Sequence, residues 1–307
     1  MRGTRTLIGV VTACAVTLGA AACTASGSPK SSTQDDGPAH LQAGPRYYLS
    51  LGDSLARGVQ PTATGLSRPT DSGYPDRIYS VLVAHQPAWR LAELGCSGET
   101  TQTMIHGRSC HYAAGSQLAE AETFLRAHRG HVGLITIDIG ANDPNSCIIG
   151  SVPLSKITQC MGSSLEQTLS DLRVIMAGLR SAGGPDVKIL AMSYYVPELA
   201  GWLDGKAGKE IAVLTERLIA GYNRLLAGIY RHYGAQMANV FGAFHSSDFT
   251  DQVRLGHYGL LPRNVATICE WTWSCADWPR GPNEHANDIG YGIIALAFLV
   301  ADPQLTA

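Results

Sequence analysis

Short apolar runs, each stopped by glycine or a polar turn, alternate along the chain with longer stretches whose apolar residues recur at helical spacing. Residues 47–51, YYLSL, are the first such run, in which large side chains follow one another until Gly52 ends them. This pattern predicts a buried strand. Further strands are expected at 89–94 (WRLAEL), 132–139 (VGLITIDI), 187–195 (VKILAMSYY) and 235–241 (AQMANVF). Helix patterns lie between them. Ile78, Leu82 and His85 share one face, with Pro75 suited to a first turn and Pro87 blocking continuation. Leu118, Ala121, Phe124 and Leu125 mark a helix over 117–128. Leu165, Leu169, Leu172, Ile175, Met176 and Leu179 mark another over 165–180, which Gly183, Gly184 and Pro185 end. A long helix is expected over about 210–233 and a final one over about 287–300, while 245–282 reads as irregular and aromatic.

Alternating strands and helices predict one α/β/α sandwich, a three-layer fold around a five-stranded parallel sheet. Continuously apolar strands such as 132–139 are what a sheet covered on both faces requires. The 307 residues can bury a sizeable core. Charged residues make up 16% of the chain, below the roughly 25% usual for soluble domains, and 45% is hydrophobic, which suits a compact fold and not a disordered chain. A net charge of -2 gives no reason to expect nucleic acid as a partner.

The first segment reads as an address. Arg2 and Arg5 precede an uncharged stretch over 6–22 rich in Ala, Val, Leu and Gly, the layout of a secretory signal. Two readings fit its end: Ala20, Ala21 and Ala22 suit an ordinary signal peptidase, while LGAAAC resembles a bacterial lipobox whose Cys23 is acylated. The lipobox is favoured because a Ser-, Gly- and Pro-rich tether follows over 23–45. The expected organisation is a signal peptide over 1–22, a flexible tether over 23–45 and one folded domain over 46–302, exported and either extracellular or held at the cell surface. In an exported chain, the six cysteines beyond Cys14 and Cys23 imply disulfides. Sequence neighbours are the simplest pairing: Cys96 with Cys110, Cys147 with Cys160, Cys269 with Cys275. No Cys-x-x-Cys pair or closely spaced Cys/His set favours zinc.

Three glycine-containing polar turns each follow a predicted strand: Gly52 to Ser54, Gly95 to Thr100, and Gly140 to Asn142. In a parallel sheet these turns share one edge, where open α/β folds place their reactive groups. A serine there needs a base and donors aimed at the oxyanion formed by its attack. The backbone N–H groups of Ser54 and Gly98 and the Asn142 carboxamide could be those donors. Of the ten histidines, His285 stands just ahead of the final helix, where a loop can lay its imidazole over Ser54.

At these positions the sequence resembles the SGNH, or GDSL, hydrolase superfamily, in particular its secreted actinobacterial-type esterases and lipases. The resemblance spans essentially all of 46–302. GDSL at 52–55, GCSGETT at 95–101, GAND at 140–143 and HANDIGY at 285–291 resemble its four blocks, in order. The resemblance implies Ser54 as nucleophile, Gly98 and Asn142 as oxyanion donors, with Gly95 a weaker candidate, and His285 as base. It implies an acyl-enzyme mechanism on a small-molecule or lipid ester, with no cofactor and no metal. One position departs from the family pattern: three residues before the histidine, where an aspartate is common, stands Pro282. Its carbonyl is the expected substitute, Asp277 a less favoured one, and Glu284 is expected to point away. The resemblance also allows sugar O-deacetylation or acyl transfer between glycans. Trp271, Trp273 and Trp278 could stack on a sugar, although local core is the favoured role. An inactive tethered binding protein is disfavoured by the intact Ser54, Asn142 and His285, and an α/β-hydrolase by the absence of Gly-x-Ser-x-Gly. Nothing suggests an obligate partner, so a monomer is expected.

Overall fold

The structure, a computed structural model, describes residues 44–144 and 154–306. Its elements follow the periodicities of the chain. Strand β1 (Arg46–Gly52) leads through a small hairpin, β2 (Gln60–Pro61) and β3 (Ser67–Arg68), to helix α1 (Tyr74–His85) and strand β4 (Trp89–Glu93). Helices α2 (Thr101–His106) and α3 (Gln117–Ala127) precede β5 (Val132–Asp138), and α4 (Leu154–Gly183) precedes β6 (Lys188–Met192). A 3-10 segment, Pro197–Asp204, runs into α5 (Gly205–His232), which is followed by β7 (Gln236–Ala238) and the short α6 (Val240–Ala243). A hairpin of β8 (Gln252–Leu255) and β9 (Gly259–Pro262), then α7 (Arg263–Trp271) and α8 (Asp288–Ala301), complete the fold.

The central sheet has five strands in the order β4-β1-β5-β6-β7, all parallel. Helices α1 and α8 pack together, as do α3 with α4 and α4 with α5, which gives the expected three layers. Because both faces are covered, β1 is buried from Tyr48 to Gly52 whatever the polarity of the residue, and Tyr48 donates to or accepts from Thr136 on β5 at 2.9 Å. The strand order reverses between β1 and β5, so the crevice beyond their carboxyl ends is the natural place for a site.

Three expectations need correction: the strand read over 187–195 ends at Met192, the strand read over 235–241 ends at Ala238 with α6 beginning at Val240, and the region 245–282 is more ordered than its pattern suggests. Residues 245–282 are not irregular throughout: they hold the β8/β9 hairpin and α7. Both strands are short, and α7 starts directly after Pro262, so neither produces a long apolar period. Tryptophans were expected as local core, yet Trp278 is 87% exposed while Trp271 and Trp273 are partly buried. Cys96–Cys110 and Cys269–Cys275 are bonded as expected. Cys160 is disulfide-bonded, and its expected partner Cys147 lies outside the described residues. The expected signal, and the tether up to residue 43, also lie outside them.

Candidate active site

Three turns meet at the carboxyl edge of the sheet. The first follows β1, where Gly52 has a φ of 135° and a Cβ would lie 2.2 Å from the Asp138 carbonyl, so only glycine lets β1 approach β5 this closely. Gln117, on α3, bonds both backbone groups of this residue: Gly52 N–H donates to its Oε1 at 2.7 Å and its Nε2 donates to the Gly52 carbonyl at 3.0 Å. The same Nε2 reaches Glu99 Oε2 at 3.1 Å, linking the first turn to the second. Cys96 N–H also donates to the Gly52 carbonyl, at 3.0 Å. In the third turn, the Asn142 carboxamide donates to the Glu99 carbonyl at 3.0 Å, which holds it beside Gly98. Asp143 takes two bonds from the Thr101 N–H, at 3.3 and 3.1 Å.

Ser54, Gly98 and Asn142 are thereby gathered on one edge. Among the described residues, the N–H groups of Ser54 and Gly98 have no protein acceptor. Gly98 has a φ of 78°, and a Cβ there would meet nothing within 4 Å, so backbone conformation and not crowding calls for glycine.

His285 reaches the same edge through ties on both sides. Tyr195, just past β6, donates its hydroxyl to the Glu284 carbonyl at 2.8 Å. Tyr291 of α8 donates to the Val59 carbonyl at 2.9 Å, Val59 N–H donates to the Ser54 carbonyl at 3.0 Å, and Trp273 Nε1 donates to Gln60 Oε1 at 3.1 Å. The segment carrying the histidine is thus fastened to the segment that follows the serine. The imidazole itself is buried.

The partner of its Nδ1 is neither the Pro282 carbonyl nor Asp277, which is exposed; it is Asn283 Oδ1, at 2.8 Å. The same oxygen accepts the His285 backbone N–H at 3.0 Å. Because a backbone N–H can only donate, this atom must be the amide oxygen, and Nδ1 facing it must carry the proton. In the neutral ring, Nε2 is then the atom with the free lone pair. Asn283 is itself held, its Nδ2 donating to Ser67 Oγ at 3.0 Å and its N–H to the Trp273 carbonyl at 3.1 Å. Glu284 does not point away either: its Oε1 lies 3.8 Å from Nδ1. Burial holds the imidazole below the ordinary histidine value, with the Glu284 carboxylate opposing the shift.

A buried carboxyl pair lies beneath the serine. Asp53 N–H donates to Asp138 Oδ2 at 3.3 Å, and Tyr74 donates its hydroxyl to Asp138 Oδ1 at 2.5 Å. Burial pushes Asp53 up to about 6 and Asp138 well above its ordinary value; the Asp53 charge raises Asp138 further, whereas the interaction with Asp138 opposes the rise of Asp53. Asp53 Oδ1 accepts the Leu55 N–H at 3.0 Å and so shapes the turn at Ser54. Sequence reasoning missed Asn283, Asp138 and Gln117. Only Asn283 carried a local signal, as an Asn two residues before the histidine whose side chain can fold back onto the backbone. Among the described residues, no group of His, Cys, Asp or Glu is arranged to hold a metal.

Residues 50–293 match the model of the GDSL-like lipase/acylhydrolase family. The chain belongs to this family. Its members are acylhydrolases, and this protein is a carboxylic ester hydrolase of the GDSL type. Among solved structures, phospholipase A1 from Streptomyces albidoflavus NA297 is similar with a TM-score of 0.52 at 18% identity, over 83% of this chain and 98% of that one. An acetylxylan esterase, Axe2 from Geobacillus stearothermophilus, aligns with a TM-score of 0.49 at 18% identity, over 84% of this chain and 94% of that one. LAE5, an α/β hydrolase from the metagenome of Lake Arreo, Spain, aligns with a TM-score of 0.49 at 17% identity, over 86% and 98%. No curated protein matches the chain significantly.

Proposed function

We propose that this hydrolase cleaves esters through an acyl-enzyme on Ser54, with His285 as base, acting outside the cytoplasm as a secreted or Cys23-acylated monomer. Ser54 Oγ attacks the ester carbonyl while its proton passes to His285 Nε2. The oxyanion is held by the Ser54 and Gly98 N–H groups and the Asn142 carboxamide. His285 returns the proton to the departing alcohol, and water then repeats the cycle on the acyl-enzyme, releasing the acid. Asn283 fixes the ring in the tautomer that this exchange needs, the role an asparagine plays in Cys-His-Asn sites. The observation that carries the reading is the double acceptance at Asn283 Oδ1, which leaves Nε2 as the basic atom.

The preferred substrate is a lipid or other small-molecule ester, in keeping with the family and with the fold shared with a phospholipase A1. Glycan O-deacetylation or acyl transfer is the second reading. It is supported by Trp278, 87% exposed on the loop that leads to His285, where an indole face is open to stack on a sugar.

The test is hydrolysis of a p-nitrophenyl ester series from acetate to palmitate, beside acetylated xylooligosaccharide, with Ser54→Ala as control. Serine-dependent turnover that rises with acyl length supports the lipid-ester reading. Turnover on the oligosaccharide that is reduced by Trp278→Ala, with p-nitrophenyl acetate unaffected, supports the second. Turnover undiminished by Ser54→Ala would contradict both.

A further inference from the structure

The outward face of α5 is built the wrong way round for a surface helix. Such a face ordinarily carries polar residues, with apolar ones turned to the core. Here the core side is satisfied by Ala212, Leu226 and Tyr230, which are buried, yet a separate side presents Ile211, Leu214, Leu218 and Leu225 at 58%, 58%, 56% and 46% exposure. Positions 211, 218 and 225 recur every seven residues, and 214 falls between the first two, so the four side chains form one stripe along the helix. Gly221 and Gly228 continue it with no side chain.

Arginines border this stripe with the same period. Arg217, Arg224 and Arg231 are all exposed, and among the described residues none of them makes an ion pair or a side-chain hydrogen bond. Lys206 and Lys209 add charge near the start of the helix, where Lys209 lies over the Trp202 ring at 5.0 Å. Of the two carboxylates on α5, Glu210 is exposed, and Glu216, itself buried, feels the charges of Arg217 and Arg224, so two negative charges stand against five positive ones on this helix. In a chain of net charge -2, this face is a local cationic and apolar surface.

We infer that α5 docks on an anionic lipid surface, with the aliphatic stripe entering the headgroup region and the arginines pairing with phosphates. Apolar insertion combined with flanking basic residues is how interfacial helices bind anionic bilayers. A second copy of the chain fits less well. In an antiparallel pair the arginines of one helix would face those of the other, and in a parallel pair they would face Thr215 and Tyr222, neither of them acidic. The position of the helix suits an enzyme working on such a surface. Tyr222 donates to the Gly140 carbonyl at 3.1 Å, and Asn223 bonds both backbone groups of Tyr194, at 2.8 and 2.9 Å. Those two contacts mark the carboxyl ends of β5 and β6, so Ile211, Leu214 and Leu218 lie beyond the sheet edge from which the site's turns project.

This inference does not depend on the catalytic reading, and its test does not use activity. The protein carrying Cys23→Ser, so that no acyl chain contributes, is sedimented with vesicles of phosphatidylcholine alone and of phosphatidylcholine mixed with phosphatidylglycerol. Binding is expected to the mixed vesicles, weakening with salt. Replacing Arg217, Arg224 and Arg231 together by Ser should weaken it about a hundredfold. Leu214→Ser with Leu218→Ser should weaken it at least tenfold. Circular dichroism and the unfolding midpoint of each variant confirm that the fold is retained. Equal binding to both vesicle types, no binding to either, or unaltered binding by the folded variants would overturn the inference. So would a concentration-dependent dimer that the leucine variants abolish, since the face would then belong to a second copy.

Discussion

Asn283 decides how the imidazole can be used, because one oxygen fixes both the backbone and the ring of His285. Asn283→Ala should therefore lower kcat/KM about a hundredfold, within the range of a general base's contribution, while leaving the unfolding midpoint nearly unchanged. Two neighbouring changes separate orientation from charge. Burial lowers the His285 pKa and the Glu284 carboxylate raises it, so the acidic limb of kcat/KM should lie below the ordinary histidine value of ~6.5. Glu284→Gln removes the raising charge and should move the limb to lower pH, whereas Asn283→Asp adds a carboxylate on Nδ1 and should move it higher. Limbs that stay in place in both variants would mean that His285 is not the titrating base. That Ser54, Gly98 and Asn142 lie in turns on one sheet edge, with His285 just ahead of the final helix, was legible in the sequence because each sits in a short block at a strand end or helix start. Asn283 was not, because its contact is an Asx-type fold-back across two residues, and the reading looked to Pro282, one position too early.

At the scale of elements, the turns are held by backbone bonds between them and by side chains such as Gln117 from α3 and Tyr74 from α1. The Asp53–Asp138 pair joins the ends of β1 and β5, and burial raises both pKa values. The native state then binds more protons than the unfolded chain above the ordinary carboxylate range near ~3.9. Stability from this pair is thus greatest below that value and falls as pH climbs to about 6, where Asp53 ionises. Asp138→Asn leaves one carboxyl in place of two, so the urea midpoint measured between about pH 4 and 7 should decline less than in the wild type. A decline as steep as the wild type's would count against the pair. The turn after β4 depends instead on Cys96–Cys110, with a sequence separation of 14, and its removal should cost about 3 kcal/mol of stability. The strands and long helices were readable because their periods are sustained. The β8/β9 hairpin and α7 were not, because four-residue strands and a nine-residue helix give too few positions to establish a period.

For the whole molecule, strand order does most of the assembly. The order β4-β1-β5-β6-β7 puts the ends of β1, β4 and β5 side by side, and α8 returns the last loop to the same edge. The parallel sheet, its three layers and the shared edge of its turns followed from alternating strands and helices; the order of the strands came only from their pairing. The outward face of α5 was not legible in the sequence. A helix apolar on two sides reads from sequence as a buried one, and only the packing of the sandwich shows which side is left to solvent. The four predicted site residues lie at the edge of the sheet where the first half of α5 begins. The central claim is that Ser54 is the nucleophile that His285 activates. It is tested most directly by treating the protein with a p-nitrophenyl alkylphosphonate and locating the label by peptide mass spectrometry. Attack forms the Oγ–P bond and releases p-nitrophenolate. The account predicts one adduct, on the peptide containing Ser54, formed far more slowly in folded His285→Ala; a label on another residue, or none on the folded wild type, would contradict it.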